Sequence, residues 1–183
     1  MIVIIGKTAS GKDLIVKKLC NDYNYNKIVT YTTRPMRKGE SDKVSYNFIP
    51  EEEFKQKIKD GFFAEYKSYQ SEFGEWFYGT SRESILNSDD KSIIILTPEG
   101  YRDILFNYPN LKHKSIYLYA NNNTIKGRLM KRGDDKTEAE RRVKHDNEDF
   151  KGIESLAHKI VYNNFDYPVD DVLNKVLAAI GGK

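Results

Sequence analysis

At 183 residues, with 39% hydrophobic, 13% aromatic and 31% charged side chains, the chain has material for one packed domain with a small appended lobe, which excludes a disordered protein. Its 30 Lys and Arg nearly cancel 27 Asp and Glu; the excess of +3 excludes a general nucleic-acid binder and makes any anion site local. A single cysteine, Cys20, excludes an intrachain disulfide and a cysteine-based zinc site. The opening "MIVII" is too short for a signal peptide, and no run is long enough to cross a bilayer. A cytoplasmic protein without membrane contact is therefore expected, with "GGK" as a frayed C-terminal end.

In chain order, Ile2 to Ile5 form a continuous β-branched run, which predicts a strand buried on both faces. After "GKTASGK", the stretch "DLIVKKLCNDY" puts Leu14, Ile15, Lys18 and Leu19 at helical spacing. "KIVTYTT", "SIIIL", "SIYLY" and "HKIVY" predict further short strands, separated by helical patterns over 99–107, 123–132 and 137–150. Strands alternating with helices predict a parallel sheet covered on both faces, because parallel neighbours need a crossover. From 44 to 79 the alternation breaks: "VSYNFI", a "PEEEFKQKIKDG" helix, "FFAEYKSY" and "EWFYGTS" predict a small antiparallel sheet inserted into the α/β core. The Arg-rich stretch 126–144 predicts two exposed helices joined at "RGDDKT".

Gly6, Gly11 and Lys12 match G-x-x-x-x-G-K, with a strand before and a helix after. Glycines let the backbone curl until its N–H groups point inward, and the helix N-terminus adds partial positive charge. Gly6, Lys7, Thr8, Ala9, Ser10, Gly11, Lys12 and Asp13 are thus the candidate triphosphate-binding stretch, with Lys12 reaching the terminal phosphates. Asp13 stands where the pattern has a Mg²⁺-ligating hydroxyl. A bare carboxylate there is unfavourable, since two unit charges about 4 Å apart repel by about 4 kcal/mol at an effective dielectric near 20. A magnesium ion between them reverses the sign, because carboxylate oxygen is a hard ligand. Either Asp13 disables the site, or it is itself the metal ligand.

Downstream, "TYTTRPMRKGESDKVSYNF", "FFAEY" and "WFYGTS" resemble, in order, the motifs of the guanylate kinases, P-loop enzymes that move the γ-phosphoryl group of ATP onto GMP. The likeness runs from the loop to "IVYNN". It implies a P-loop NTPase-type α/β fold in one domain: core 1–30, 81–120 and 151–183, GMP lobe 31–80, and a helical lid at about 121–150. It implies ATP and GMP or dGMP as substrates, Mg²⁺ as cofactor, and a monomer or homodimer. By the same resemblance Arg34 and Arg37 hold the GMP phosphate, with Tyr46, Tyr78 and Thr30 adding hydroxyls. Glu65 accepts from the guanine N–H and amine, and Thr80 donates to the guanine carbonyl. Arg128, Arg132 and Arg142 fall at the lid arginines, where cations stabilise charge on the transferred group together with Lys12 and Arg34.

One element departs from the family: its acidic "D-x-D" strand end is "SIIILTPEG" here, with Ile95 and Thr97 at the acid positions. We read the carboxylate as relocated, with Asp13 supplying the negative ligand, Thr97 keeping a hydroxyl at the GMP and metal side, and Glu99 a second candidate for the metal shell. Two other functions share these features: a catalytically impaired binding module, and a same-fold kinase for another phosphorylated acceptor.

Overall fold

The computed structural model describes residues 1–37, 39–71, 74–165 and 167–181. The tip of the hairpin expected over 67–77 and the end of the "GGK" tail lie outside the described residues. Two compact units are present: residues 1–27, 90–99 and 112–183 form one, and residues 28–89 with 100–111 the other.

The first unit is built on a five-stranded sheet. Strand β1 (Ile2–Ile5) occupies its centre, flanked by β7 (Ser92–Leu96) and β8 (Lys114–Tyr119), with β2 (Asn26–Lys27) and β9 (Lys159–Tyr162) at the edges. All pairings are parallel. As its composition predicts, β1 is buried throughout. Alternation sends Ile2 and Ile4 towards α1 (Lys12–Tyr23) and α8 (Val169–Ile180), where they join Ile15, Leu19, Val172 and Val176 in one core. On the other face Tyr117 of β8 packs against Phe150, with ring centroids 5.7 Å apart. The register sets Ile5 beside Leu96 and Tyr117, so the chain leaves β1 at the carboxyl edge of the sheet, where α/β proteins place their ligands.

The two Arg-rich helices are α5 (Asn122–Lys131) and α6 (Lys136–Asp149). Each has a side-chain N-cap: Asn121 accepts from the Thr124 N–H at 2.8 Å, and Asp135 from the Glu138 N–H at 2.9 Å. Gly133, at φ +101°, makes the break between them. They are less exposed than their charges suggest, because Ile125, Leu129, Ala139 and Val143 form a small core with Ala9 and Ala120.

The second unit carries a four-stranded sheet ordered β4 (Asn47–Phe48), β3 (Tyr31–Thr32), β6 (Gly74–Ser81), β5 (Phe63–Ser71). It also holds α2 (Glu51–Lys59), α3 (Arg82–Leu86) and most of α4 (Pro98–Asn107). Three expectations are corrected here. "KIVTYTT" is two short strands in different sheets, because the chain changes sheet between Lys27 and Tyr31. "VSYNFI" narrows to Asn47–Phe48, since Lys43 takes a left-handed φ of +59° and residues before β4 turn. The sheet is not wholly antiparallel: β3 and β4 run parallel, joined by a long crossover over 33–46 rather than a hairpin. Helices α3, α8 and the short α7 (Ile153–Leu156) were not among the expected elements.

Helix α2 follows from its charges, with Glu51, Glu52 and Glu53 at the positive end and Lys57 and Lys59 at the negative end. It buries Phe54, which stacks on Phe63 at 4.3 Å and meets Phe77 at 5.4 Å. Those rings leave no room at Gly79, where a Cβ would stand 2.9 Å from Phe63 and 3.0 Å from Phe54. Gly79→Ala should therefore destabilise the lobe by about 1–3 kcal/mol through overpacking. A thermal unfolding midpoint equal to wild type would refute this.

Candidate functional site

The loop between β1 and α1 wraps around Lys12, whose ammonium donates to the carbonyl oxygens of Gly6 at 2.6 Å and Lys7 at 2.8 Å. Burial pushes this ammonium's pKa down, while the charges of Asp13 and Asp146 act against that shift. The curl requires glycine at two points. At Gly6 a Cβ would lie 2.5 Å from Ser10 Oγ and 2.7 Å from the Leu118 carbonyl oxygen. Gly11 caps α1 at φ +97°, with Asn163 Nδ2 2.5 Å from where a Cβ would be. Between them Ala9 takes a left-handed φ of +51°, which costs an L residue about 1 kcal/mol. Its carbonyl is held by Arg128 Nη1 at 3.2 Å.

Arg128 also donates through Nη2 to Asn163 Oδ1 at 3.2 Å and lies over the Phe165 ring. Burial and the neighbouring Arg132 lower its pKa. Arg128 and Arg132, together with Ala9, Gly11, Asp13 and Asn163, line a cleft of about 250 Å³. Arg142 is not brought to this cleft. Its Nε donates to Glu138 Oε1 at 2.6 Å and its Nη2 lies 3.3 Å from Asp134. Hydrogen bonds from Arg141 and Arg142 hold the Glu138 carboxyl down at about 2.

Asn163 was not among the expected site residues. Its Nδ2 donates to the Ser10 carbonyl at 2.7 Å while its Oδ1 accepts from Arg128, so one amide ties loop and helix α5 together. The signal was positional: it follows β9 directly, at the same carboxyl edge of the sheet. Asp146 and Asn147 were also missed. The Thr8 N–H donates to Asp146 Oδ2 at 2.6 Å, and Lys7 Nζ to Asn147 Oδ1 at 2.5 Å. Two polar residues inside a charged helix give no sequence signal of their own.

For a divalent cation, Asp13 offers an exposed carboxylate in the first turn of α1. Thr97, exposed just beyond β7, leaves its strand beside Gly6 because Leu96 pairs with Ile5. Ile95 is half-buried within β7 and Glu99 is in the first turn of α4. Among the described residues His145, Asp146 and Asp149 also cluster, but Asp146 accepts from Thr8 and His145 pairs with Asp149 at 2.9 Å.

In the second unit the crossover between β3 and β4 brings its predicted residues together. The Arg34 guanidinium is buried and bidentate on Glu40, with Nη1 at 3.0 Å from Oε2 and Nη2 at 2.8 Å from Oε1. It lies 5.5 Å from the Tyr46 ring centroid, and Tyr46 meets Tyr78 edge-on at 6.0 Å. Glu40 also accepts from the Arg37 N–H at 2.7 Å, while the Arg37 side chain is exposed. Burial alone would raise the Glu40 carboxyl, but these hydrogen bonds bring it below its ordinary value. The half-buried Thr30 accepts the Asn47 N–H through its carbonyl at 2.8 Å. Glu40 is another residue that sequence reasoning passed over, although it lies within the quoted motif.

Glu65 and Thr80 are cross-strand partners on β5 and β6, both buried, and the Thr80 hydroxyl donates to Glu65 Oε1 at 2.5 Å. A hydroxyl has one hydrogen, so that of Thr80 is spent on Glu65 rather than directed at a base carbonyl. The pair holds a carboxylate in a fixed orientation within an aromatic lobe.

The arrangement can grip a polyphosphate at the loop and an acceptor phosphate and base in the lobe. The guanylate kinase family model matches residues 1–180. The chain is 30% identical over 180 residues to the guanylate kinase of Bdellovibrio bacteriovorus, covering 96% of this chain and 90% of that protein. It is 31% identical over 188 residues to the guanylate kinase of Pasteurella multocida, covering 97% and 83%. A crystal structure of guanylate kinase from Anaplasma phagocytophilum superposes with a TM-score of 0.69 at 19% identity, covering 97% of this chain and 82% of that one. The Gly-rich loop, the second unit and helices α5 and α6 fall within a single stretch of common ancestry, and the chain belongs to the guanylate kinase family.

Proposed function

We propose that the chain transfers the γ-phosphoryl group of ATP to GMP or dGMP, yielding ADP and the corresponding diphosphate. The observation that carries this reading is the buried Glu65–Thr80 pair. A carboxylate fixed to face adjacent N–H and amino donors suits guanine and leaves adenine, which lacks that donor pair, unmatched. In this reading residues 31–80 are the GMP lobe, about 121–150 the lid and the remainder the core.

Arg34 and Arg37, with Tyr46, Tyr78 and Thr30, hold the acceptor phosphate. Glu40 supports Arg34 by fixing its planar fork in one orientation. At the loop, backbone N–H groups, Lys12, Arg128 and Arg132 neutralise the triphosphate. A GMP phosphate oxygen attacks the γ-phosphorus as the bond to the β,γ-bridging oxygen breaks, and ADP leaves with that electron pair. The acceptor is already an oxyanion, so no strong base is needed and the residues' work is alignment and charge stabilisation. Arg142 acts only after leaving Glu138.

The donors fit magnesium. One carboxylate, Asp13, and one hydroxyl, Thr97, suit an ion that keeps most of its waters and takes phosphate oxygens for the remainder. When bound, the ion offsets the phosphate charge. Without it, Asp13 opposes the nucleotide.

Three outcomes are expected. Offered GMP, dGMP, AMP, CMP and UMP with ATP and Mg²⁺ in a coupled assay, the chain should phosphorylate only the guanine nucleotides; GMP binding with no turnover would favour the binding module. Asp13→Asn should weaken Mg·ATP binding by about tenfold or more and leave metal-free ATP binding unweakened, and equal losses in calorimetry would remove Asp13 from the metal shell. Asn163→Ala should raise KM for ATP by about tenfold with KM for GMP unchanged. A matching rise for both nucleotides would contradict its role at the loop.

A further inference from the structure

The loop that faces the polyphosphate already grips an anion supplied by the chain itself. Asp146 Oδ2 accepts the Thr8 N–H at 2.6 Å, a main-chain amide of the Gly-rich stretch, and such amides are what a phosphate-binding loop relies on. One residue further along α6, Asn147 Oδ1 accepts from Lys7 Nζ at 2.5 Å, and Lys7 is only 8% exposed. Helix α6 is therefore pinned to the loop at two adjacent points, across 138 and 140 residues of chain. The pinning is electrostatic as well as geometric. Asp146 interacts with the charges of both Lys7 and Lys12, the two ammonium groups of the loop. Burial raises the Asp146 carboxyl above its ordinary value, and the Thr8 amide, Lys12 and, less, His145 act against that shift.

Two properties separate this contact from an ordinary helix-to-loop packing bond. The acceptor is an anion, held by a main-chain amide that donates to it and by the charges of two lysines, groups whose other natural ligand is phosphate. Also, α6 makes its apolar contacts through Ala139 and Val143, about two turns and one turn before Asp146, so the helix does not need this carboxylate to be seated in its small core.

Resting on the assignment of this loop as the polyphosphate site, we propose that Asp146 is a built-in competitor for the loop's anion nest. Its carboxylate and the Asn147 amide latch α6 onto Thr8 and Lys7, and an incoming polyphosphate must displace them. Binding of the phosphate chain is thereby coupled to release of the helix spanning 136–149, which also carries Arg142.

Inorganic pyrophosphate without metal is the probe, titrated calorimetrically into the full chain as wild type, Asp146→Ala and Asp146→Asn. Removing the competing charge should tighten pyrophosphate binding about tenfold in Asp146→Ala and by a smaller factor in Asp146→Asn, which keeps an acceptor for Thr8. In wild type, pyrophosphate should also speed amide exchange across 136–149. Equal or weaker binding by the folded variants, as expected if Asp146 instead aids the phosphate chain, overturns the proposal; so does unchanged exchange. Should Asp146→Ala not fold, the near-isosteric Asp146→Asn decides by the same criterion. Pyrophosphate binding requires no turnover, so a chain that tightens in this way yet leaves GMP unphosphorylated would fail as a guanylate kinase while retaining the latch.

Discussion

Lys12 keeps a positive charge inside its own loop, and the surrounding arrangement follows from that constraint. An ammonium withdrawn from water needs oxygen acceptors, and the loop turns the Gly6 and Lys7 carbonyls onto it. Turning them inward demands a curl so tight that Gly6 touches the Leu118 carbonyl and Gly11 abuts Asn163. The curl is affordable only because β1 beneath it is buried on both faces and cannot shift. Arg128 and Asn163 then fasten the outer wall of the loop, so helix α5 and the end of β9 belong to the same mechanical unit as the loop.

The second unit solves a parallel problem with the opposite materials. Arg34 is a buried cation whose fork is satisfied by Glu40, itself steadied by the Arg37 amide. Glu65 is a buried anion satisfied by Thr80. Arg34 and Glu65 thus each have an intramolecular partner that fixes their orientation and limits the desolvation cost. Aromatic rings pack in the same unit, Tyr46 against Arg34 and Tyr78, and Phe54 on Phe63, which lowers the local dielectric. Loop and latch repeat this pattern, with Asp146 as the internal partner of Thr8, Lys7 and Lys12.

Much of this was legible before any coordinates. The β-branched run, the Gly-rich turn and the following helical period marked the loop in its sheet-to-helix context, because each depends on local backbone preferences. The joint between two helices at "RGDDKT" was readable for the same reason. What escaped were features set by distant pairing. The parallel β3–β4 pair fell within what the pattern predicted as an antiparallel sheet, because periodicity carries no direction. Helix α8 was overlooked although Val172, Leu173, Val176 and Ile180 spell its buried stripe.

By itself the sequence determined the strand, Gly-rich turn and helix at the start of the chain, the alternation of strands and helices that follows, and the stock of arginines and carboxylates available for charge work. These depend on local propensity and spacing, which are written along the chain. Only the tertiary structure decided which charges meet: Arg34 with Glu40, Arg142 with Glu138, Asn163 with Arg128, and Asp146 with the loop. The last two join residues 35 and 138 positions apart. An electrostatic contact of a few ångströms depends on where the packed strands and helices carry their ends, and no local pattern encodes that distance.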